Sequence, residues 1–118
     1  MPRSVLVVDD DASFRQLAIG LVRSWGHDVV AEAGNVAEAV QRAGELQPDI
    51  MLVDISLPDG DGFAVLAQIR LLACQPRIVL ISSDPDATTG TEARRAGALG
   101  FIPKSEMPDS GFRQMLDG

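Results

Sequence analysis

Val5-Leu6-Val7-Val8-Asp9-Asp10-Asp11 joins four uninterrupted apolar residues to three aspartates, and this abrupt change governs how the rest of the chain reads. An apolar run rich in β-branched residues, with no polar alternation, is the pattern of a strand covered on both faces, as in a parallel sheet. Four more short apolar runs follow: Val29-Val30-Ala31, Ile50-Met51-Leu52-Val53, Ile78-Val79-Leu80-Ile81 and Phe101-Ile102. Their first residues lie 24, 21, 28 and 23 positions apart. Each gap has room for one helix, as in successive βα units.

The gaps carry helical signals. Phe14, Leu17, Leu21, Val22 and Trp25 recur at three- and four-residue steps, an apolar stripe that Gly26 can terminate. Trp25 extends that stripe and reads as core. Asn35 followed by Glu38 forms the pattern of a capping box, opening a second helix through Val36, Val40 and Ala43. Phe63, Leu66 and Ile69 make a third stripe after Gly62, Ala87 to Ala96 a weaker fourth, and Ser110 to Leu116 a short fifth. The expected fold is therefore α/β, a (βα)5 doubly wound parallel sheet forming one domain over residues 1–118, with no linker, low-complexity tract or repeat.

The bulk composition narrows the function. A chain of 118 residues with 46% hydrophobic and 23% charged residues can bury a real core, built from aliphatic side chains because aromatics make up only 4%. A formal net charge of -7 repels phosphate backbones and anionic lipids, so neither nucleic acid nor membrane is an expected partner of this domain. Cys74 is the only cysteine, which excludes an internal disulfide and a thiolate metal cluster. The four apolar residues after Met1-Pro2-Arg3-Ser4 are too few for a signal-peptide core. These features lead to a cytoplasmic expectation.

Asp9-Asp10-Asp11 follows the first strand and Asp54 ends the third. Open parallel sheets bind ligands beyond the carboxyl ends of their strands, where the strand order reverses. If the first and third strands are neighbours, Asp9, Asp10 and Asp54 meet in one cleft. Clustered carboxylates repel each other unless a cation lies between them, and an all-oxygen donor set without His or Cys selects Mg²⁺. Asp11 fits a different task, the N-cap of the first helix. Ser82 at the end of the fourth strand and Lys104 after the fifth add a hydroxyl and an ammonium. Acid, acid, hydroxyl and ammonium at four strand ends are the groups that phosphoryl transfer to a carboxylate requires.

Val7-Val8-Asp9-Asp10-Asp11, Leu52-Val53-Asp54-Ile55-Ser56-Leu57-Pro58 with Asp61-Gly62, Ile81-Ser82-Ser83, and Gly100-Phe101-Ile102-Pro103-Lys104-Ser105 resemble the signature segments of response-regulator receiver domains. The resemblance runs in order from Val5 to about Lys104 and implies a flavodoxin-like strand order of 2-1-3-4-5. It implies that Asp54 takes a phosphoryl group from the phosphohistidine of a sensor histidine kinase or phosphotransfer protein. Asp10 would bind Mg²⁺ directly and Asp9 through water, with the Ser56 carbonyl as a further ligand. Ser82 would bond a phosphoryl oxygen, Lys104 would pair with the phosphate, and Phe101 would turn inward as Ser82 moves. Ser56 and Asp84 match positions that tune autodephosphorylation. The face of the fourth helix, fifth strand and fifth helix would then change its affinity for a downstream effector, and dimerisation on phosphorylation stays open.

Two departures stand out. Ser105 follows the lysine where many receivers have proline after a cis bond, which leaves the Lys104–Ser105 geometry open. The Phe-Ile-Pro-Lys-Ser string is most similar to LuxR-type receivers, yet no DNA-binding helix-turn-helix follows before Gly118; either this is a stand-alone receiver, which is the expectation, or an effector domain has been removed. Two other readings stay open: a small Mg²⁺-dependent aspartyl phosphatase, weakened by Ser56 standing where a second acid is needed, and a degenerate receiver acting as a constitutive binding module.

The remaining signals are weaker. Asp59-Gly60-Asp61-Gly62 lacks the spacing of a calcium loop and reads as a turn. His27 reads as a surface residue, and Cys74 as packing or surface. Thr88, Thr89 and Thr91 read as polar residues opening a mobile helix, a candidate switching segment.

Overall fold

Five apolar runs become the five strands of one parallel sheet: β1 (Ser4–Val8), β2 (Asp28–Ala33), β3 (Ile50–Asp54), β4 (Arg77–Ser82) and β5 (Gly100–Pro103). The computed structural model describes residues 2–118, so Met1, the first residue of the Met1-Pro2-Arg3-Ser4 start, lies outside them. The strands are ordered β2-β1-β3-β4-β5, the doubly wound arrangement expected. The order reverses between β1 and β3, where Val8 stands opposite Val53. Next along the sheet Asp54 stands opposite Ile81, and Ser82 opposite Pro103.

Alternate residues of each strand feed two cores. Leu6, Val8, Met51, Val53 and Leu80 face one side, packed under α2 (Val36–Leu46), α3 (Gly62–Ile69) and α4 (Gly90–Arg95) through Ala39, Val65, Leu66 and Ala93. Val5, Val7, Leu52, Val79 and Ile81 face the other, under α1 (Ala12–Ser24) and α5 (Ser110–Asp117) through Ile19, Val22, Phe112 and Leu116. The three inner strands β1, β3 and β4 are thus buried on both faces, the reason their sequences show no polar alternation, whereas the edge strand β2 leaves Asp28 and Val30 exposed. Among the described residues no helix is long and apolar enough to cross a membrane.

Caps fix where the helices begin. Asp11 accepts hydrogen bonds from the Ser13 and Phe14 N–H groups, as expected of an N-cap. Asn35 caps α2 by accepting from the Glu38 N–H, but Glu38 Oε1 reaches back to the Gly34 N–H, one residue before the partner a capping box would use. Asp61 caps α3, and Thr89 caps α4. The turn at Pro58-Asp59 joins two two-residue strands, Ser56–Leu57 and Gly60–Asp61, and Asp59 accepts from the Val36 and Ala37 N–H groups.

Several expectations need correction. The face of α1 turned to the sheet is Ala18, Ile19 and Val22, whereas Leu17 is 70% exposed and Phe14 and Leu21 are half-buried at its edge. The buried stripe is thus displaced around the helix from the one that the apolar period marks, leaving Leu17 outside it. Trp25 lies past the helix as its C-cap, half-buried against Phe112 with ring centroids 5.5 Å apart. The fourth helix is shorter than expected, because Asp84-Pro85-Asp86 forms a turn and Thr89 begins the helix only at Gly90. Thr88 is buried and donates its hydroxyl hydrogen bond to Glu92 at 3.0 Å.

His27 is not a surface residue: it is 5% exposed. Its Nδ1 accepts from the Arg3 backbone N–H at 3.0 Å, so the ring proton sits on Nε2 and is donated to Asp117 Oδ1 at 2.8 Å. The partners lie 24 and 90 residues away along the chain, which no local pattern could reveal.

Gly62, the first residue of α3, lies directly against the end of β3. A Cβ there would meet the Asp54 carbonyl oxygen at 3.0 Å, Ile55 Cα at 3.2 Å and Leu80 Cδ2 at 2.9 Å. Two of these are backbone atoms that cannot rotate away. Gly62→Ala is expected to destabilise the protein by about 1–3 kcal/mol, read as a lower urea midpoint at unchanged m; an unaltered midpoint would show that α3 lifts freely off β3.

Candidate functional site

The site lies where β1 and β3 end side by side. Asp54 closes β3 and is 5% exposed, while Asp9 follows β1 and is fully buried. Asp10 is exposed beside them. One carboxylate oxygen from each of Asp9, Asp10 and Asp54 can be chosen so that all lie within 4.8 Å of one another. The expected convergence of these three acids is therefore observed.

Lys104 opens a short 3-10 turn, Lys104–Glu106, immediately after β5. Its Nζ reaches past the end of β4 to lie 3.0 Å from Asp54 Oδ2 and 2.7 Å from Asp9 Oδ2. The Asp54 contact is a hydrogen bond, whereas the Asp9 contact is an ion pair, leaving buried Asp9 Oδ2 without an aligned donor among the described residues. The ammonium also sits 4.1 Å from the ring centroid of Phe14, a cation–π contact from α1. The Lys104–Ser105 peptide is trans, as no cis bond occurs among the described residues.

These neighbours shift the charges in opposite senses. Burial raises the pKa of Asp9, and the Asp54 charge adds to it, against the lowering effect of Lys104 and of the Asp11 N–H that donates to Asp9 Oδ1. Burial alone would lower the pKa of Lys104, but its bonds and attraction to Asp9 and Asp54 together outweigh that and raise it.

The remaining expected residues surround this centre. Ser82 is buried at the end of β4, and its Oγ accepts from the Asp84 N–H at 3.0 Å. Asp84 is exposed, with Oδ1 turned back to the Asp86 N–H. Ser56 is exposed and donates its N–H to Asp54 Oδ1 at 3.1 Å. Phe101 is half-buried against the core beneath α2, α3 and α4. The sequence marks Phe14 only as part of an apolar stripe and gives no signal for Arg15, whose Nη1 donates to the Asp9 carbonyl oxygen at 2.6 Å. A phenylalanine or arginine at helical spacing after an acidic loop carries no mark of these contacts.

The donor set fits a hard divalent cation. Three carboxylates supply only oxygen, as Mg²⁺ prefers, and buried Asp9 Oδ2 has an ion-pair partner in Lys104 but no hydrogen bond among the described residues.

Comparison with known proteins agrees with this architecture. The family model described as the response regulator receiver domain matches residues 5–115. The chain is 36% identical over 109 residues to the chemotaxis protein CheY of Bacillus subtilis (strain 168), covering 92% of this chain and 91% of that one. The response regulator domain of Thermotoga maritima CheB superposes with a TM-score of 0.79 at 34% identity, covering 99% of this chain and 90% of that one. A LuxR-family two-component response regulator from Aurantimonas sp. SI85-9A1 gives a TM-score of 0.83 at 29% identity, with 96% and 81% covered.

Because the folded chain holds the Asp9 proton to higher pH than the unfolded one, the associated stabilisation is complete below the ordinary value of 3.8 and is lost as pH rises through the folded pKa. Asp9→Asn is therefore expected to raise the urea midpoint at pH 7 without metal, with the gain over the wild type shrinking as pH falls. A lower midpoint at pH 7 would show that pairing with Lys104 outweighs burial.

Proposed function

The chain belongs to the response-regulator receiver family, and on that premise we propose that it is a phosphorylation-controlled switch in which Asp54 is the phosphoacceptor. The observation that carries the reading is Lys104 Nζ held between Asp9 and Asp54, with the Asp10 carboxylate beside them. An ammonium already bonded to the acceptor carboxylate is positioned to follow a phosphoryl oxygen once that carboxylate is esterified. Residues 1–118 act in this reading as a single receiver domain, working in the cytoplasm on no nucleic acid or membrane of its own.

In the proposed reaction a carboxylate oxygen of Asp54 attacks the phosphorus of a phosphohistidine in line. The O–P bond forms as the P–N bond breaks, and the bonding pair returns to the imidazole of the kinase or phosphotransfer protein. Asp9, Asp10 and Asp54, with the carbonyl of Ser56, would hold Mg²⁺. That ion, when bound, neutralises charge on the acids and on the transferring phosphoryl group. Lys104, already bonded to Asp54, supplies the second positive charge without reorganising, and Ser82 supplies a hydroxyl donor once it turns toward the phosphoryl group.

The same groups transmit the change. Ser82 moving toward the phosphoryl group draws on the β4–α4 loop, and half-buried Phe101 turns into the space vacated. The face formed by α4, β5 and α5 then alters its affinity for an effector protein or domain, or for a second copy of this chain. Ser56 and Asp84, exposed at the rim, set how readily water reaches the acyl phosphate.

Incubation with Mg²⁺ and acetyl phosphate is expected to raise the intact mass by one phosphoryl group. Asp54→Asn and chelation by EDTA are each expected to abolish that gain, and Ser82→Ala to slow it by about 10²-fold, as for loss of one charge-stabilising donor. Steady release of phosphate from unrelated monoesters would instead identify a phosphatase. Absence of any adduct, together with no binding of a phosphoryl mimic, would identify a constitutive binding module.

A further inference from the structure

The acid at the site with the least support is Asp10. Asp9 is fixed by its Asp11 and Lys104 contacts, and Asp54 by Ser56 and Lys104. The Asp10 side chain is exposed and has no hydrogen bond or ion pair among the described residues. Its direction therefore depends on the backbone that carries it, which begins with the Asp9–Asp10 peptide plane. That plane is anchored through the Asp9 carbonyl, which accepts from Arg15 Nη1 at 2.6 Å. The Asp9 N–H is held separately, by the Ala33 carbonyl at 3.0 Å.

Arg15 is itself clamped. Its Nε donates to Glu32 Oε1 at 2.9 Å, and its side chain is 21% exposed. Glu32 lies in β2, so the guanidinium spans from the sheet edge to the acidic loop. Gln16 adds a longer contact to the same carboxylate oxygen, at 3.4 Å. The fork of the guanidinium explains the residue type, because two donors on one rigid plane address two acceptors at once.

We infer that Arg15, locked by Glu32, is the positioning residue that orients the Asp9–Asp10 peptide and so presents the Asp10 carboxylate to the metal. The inference rests on the phosphoacceptor reading, since it concerns the cation of that site. Arg15 touches neither the phosphoryl group nor the ion and acts only through the Asp9 carbonyl. Without it the Asp9 carbonyl loses its donor and the loop is held only by the Asp9 and Asp11 N–H bonds on either side, so the exposed Asp10 carboxylate is directed less firmly at the ion. Supporting groups of this kind are typically worth about 10- to 100-fold in metal affinity.

The test is a titration of the whole chain with Mg²⁺ alone, followed by the backbone amide signals of Asp10 and Asp11, with no phosphodonor present. Arg15→Gln is expected to weaken the Mg²⁺ Kd by about tenfold or more. Glu32→Gln, which leaves the guanidinium without its charged anchor, should weaken it less. Arg15→Lys, keeping charge but not the fork, should recover only part of the loss. In acetyl phosphate assays the variants should need more Mg²⁺ yet approach the wild-type maximal rate once the ion saturates. A purely structural arginine would instead lower the urea midpoint and leave the Kd alone. Should Arg15→Gln fail to fold, Arg15→Lys and Glu32→Gln decide the matter. Kd values within twofold of wild type in folded variants would overturn the role of Arg15 while leaving the phosphoacceptor reading intact. A wild-type chain that binds no Mg²⁺ would overturn both.

Discussion

One ammonium group between two buried carboxylates is the constraint around which this protein is arranged. Lys104 comes from beyond the fifth strand, Asp54 from the end of the third and Asp9 from the end of the first. The contact can form only if those strand ends lie in one row, with β4 ending at Ser82 opposite Pro103 so that Lys104 lies beyond it. Such a cluster is a poor source of stability, since the cost of burying charge offsets most of what pairing contributes. The raised pKa of Asp9 expresses that balance, as burial outweighs the help of the lysine. An arrangement that the fold must hold against its own electrostatics is better understood as machinery than as mortar.

The two-sided sheet makes this tolerable. Its strands are covered by α2, α3 and α4 on one face and by α1 and α5 on the other, so apolar burial is settled before the loops are reached. The loops at the carboxyl ends are then occupied with polar bonding. Asp11 and Asp61 each cap a helix that starts beside the site, and Asp59 accepts from the first two N–H groups of α2, tying down the loops that flank Asp10, Ser56 and Gly62. Acidic residues thus serve two trades within a short stretch of surface, and only those at the ends of buried strands enter the charge cluster.

That division accounts for how much of the molecule is legible in its sequence. The strands are legible because a continuous run of β-branched and aliphatic residues this short fits little besides a strand buried on both faces. Asp9, Asp54, Ser82 and Lys104 are legible as the first polar residues after those runs. Helix faces are less so. Ala18 is buried and Leu17 exposed because which face of α1 meets the sheet is decided by packing, which the period of the sequence does not fix. His27, Phe14 and Arg15 stay hidden for a common reason: each acquires its meaning from a partner brought near by the fold, whether Asp117, Lys104 or the Asp9 carbonyl. Residue type alone assigns none of these partners. The shift of the Glu38 bond to Gly34 shows the same limit on a smaller scale.

The placement of Phe112 and Leu116 has a consequence for biosynthesis. Both are fully buried, and they close the core that α1 shares with the sheet. A ribosome emits the chain from its first strand onward, so Val5, Val7, Leu52 and Val79 are all made while their cover on that side is still incomplete. For that interval the nascent protein presents an apolar flank of the kind that chaperones recognise. The flank is covered only when α5 emerges and folds down, with Asp117 closing on His27. The fifth helix therefore also sets the moment at which the apolar flank of the sheet is finally covered.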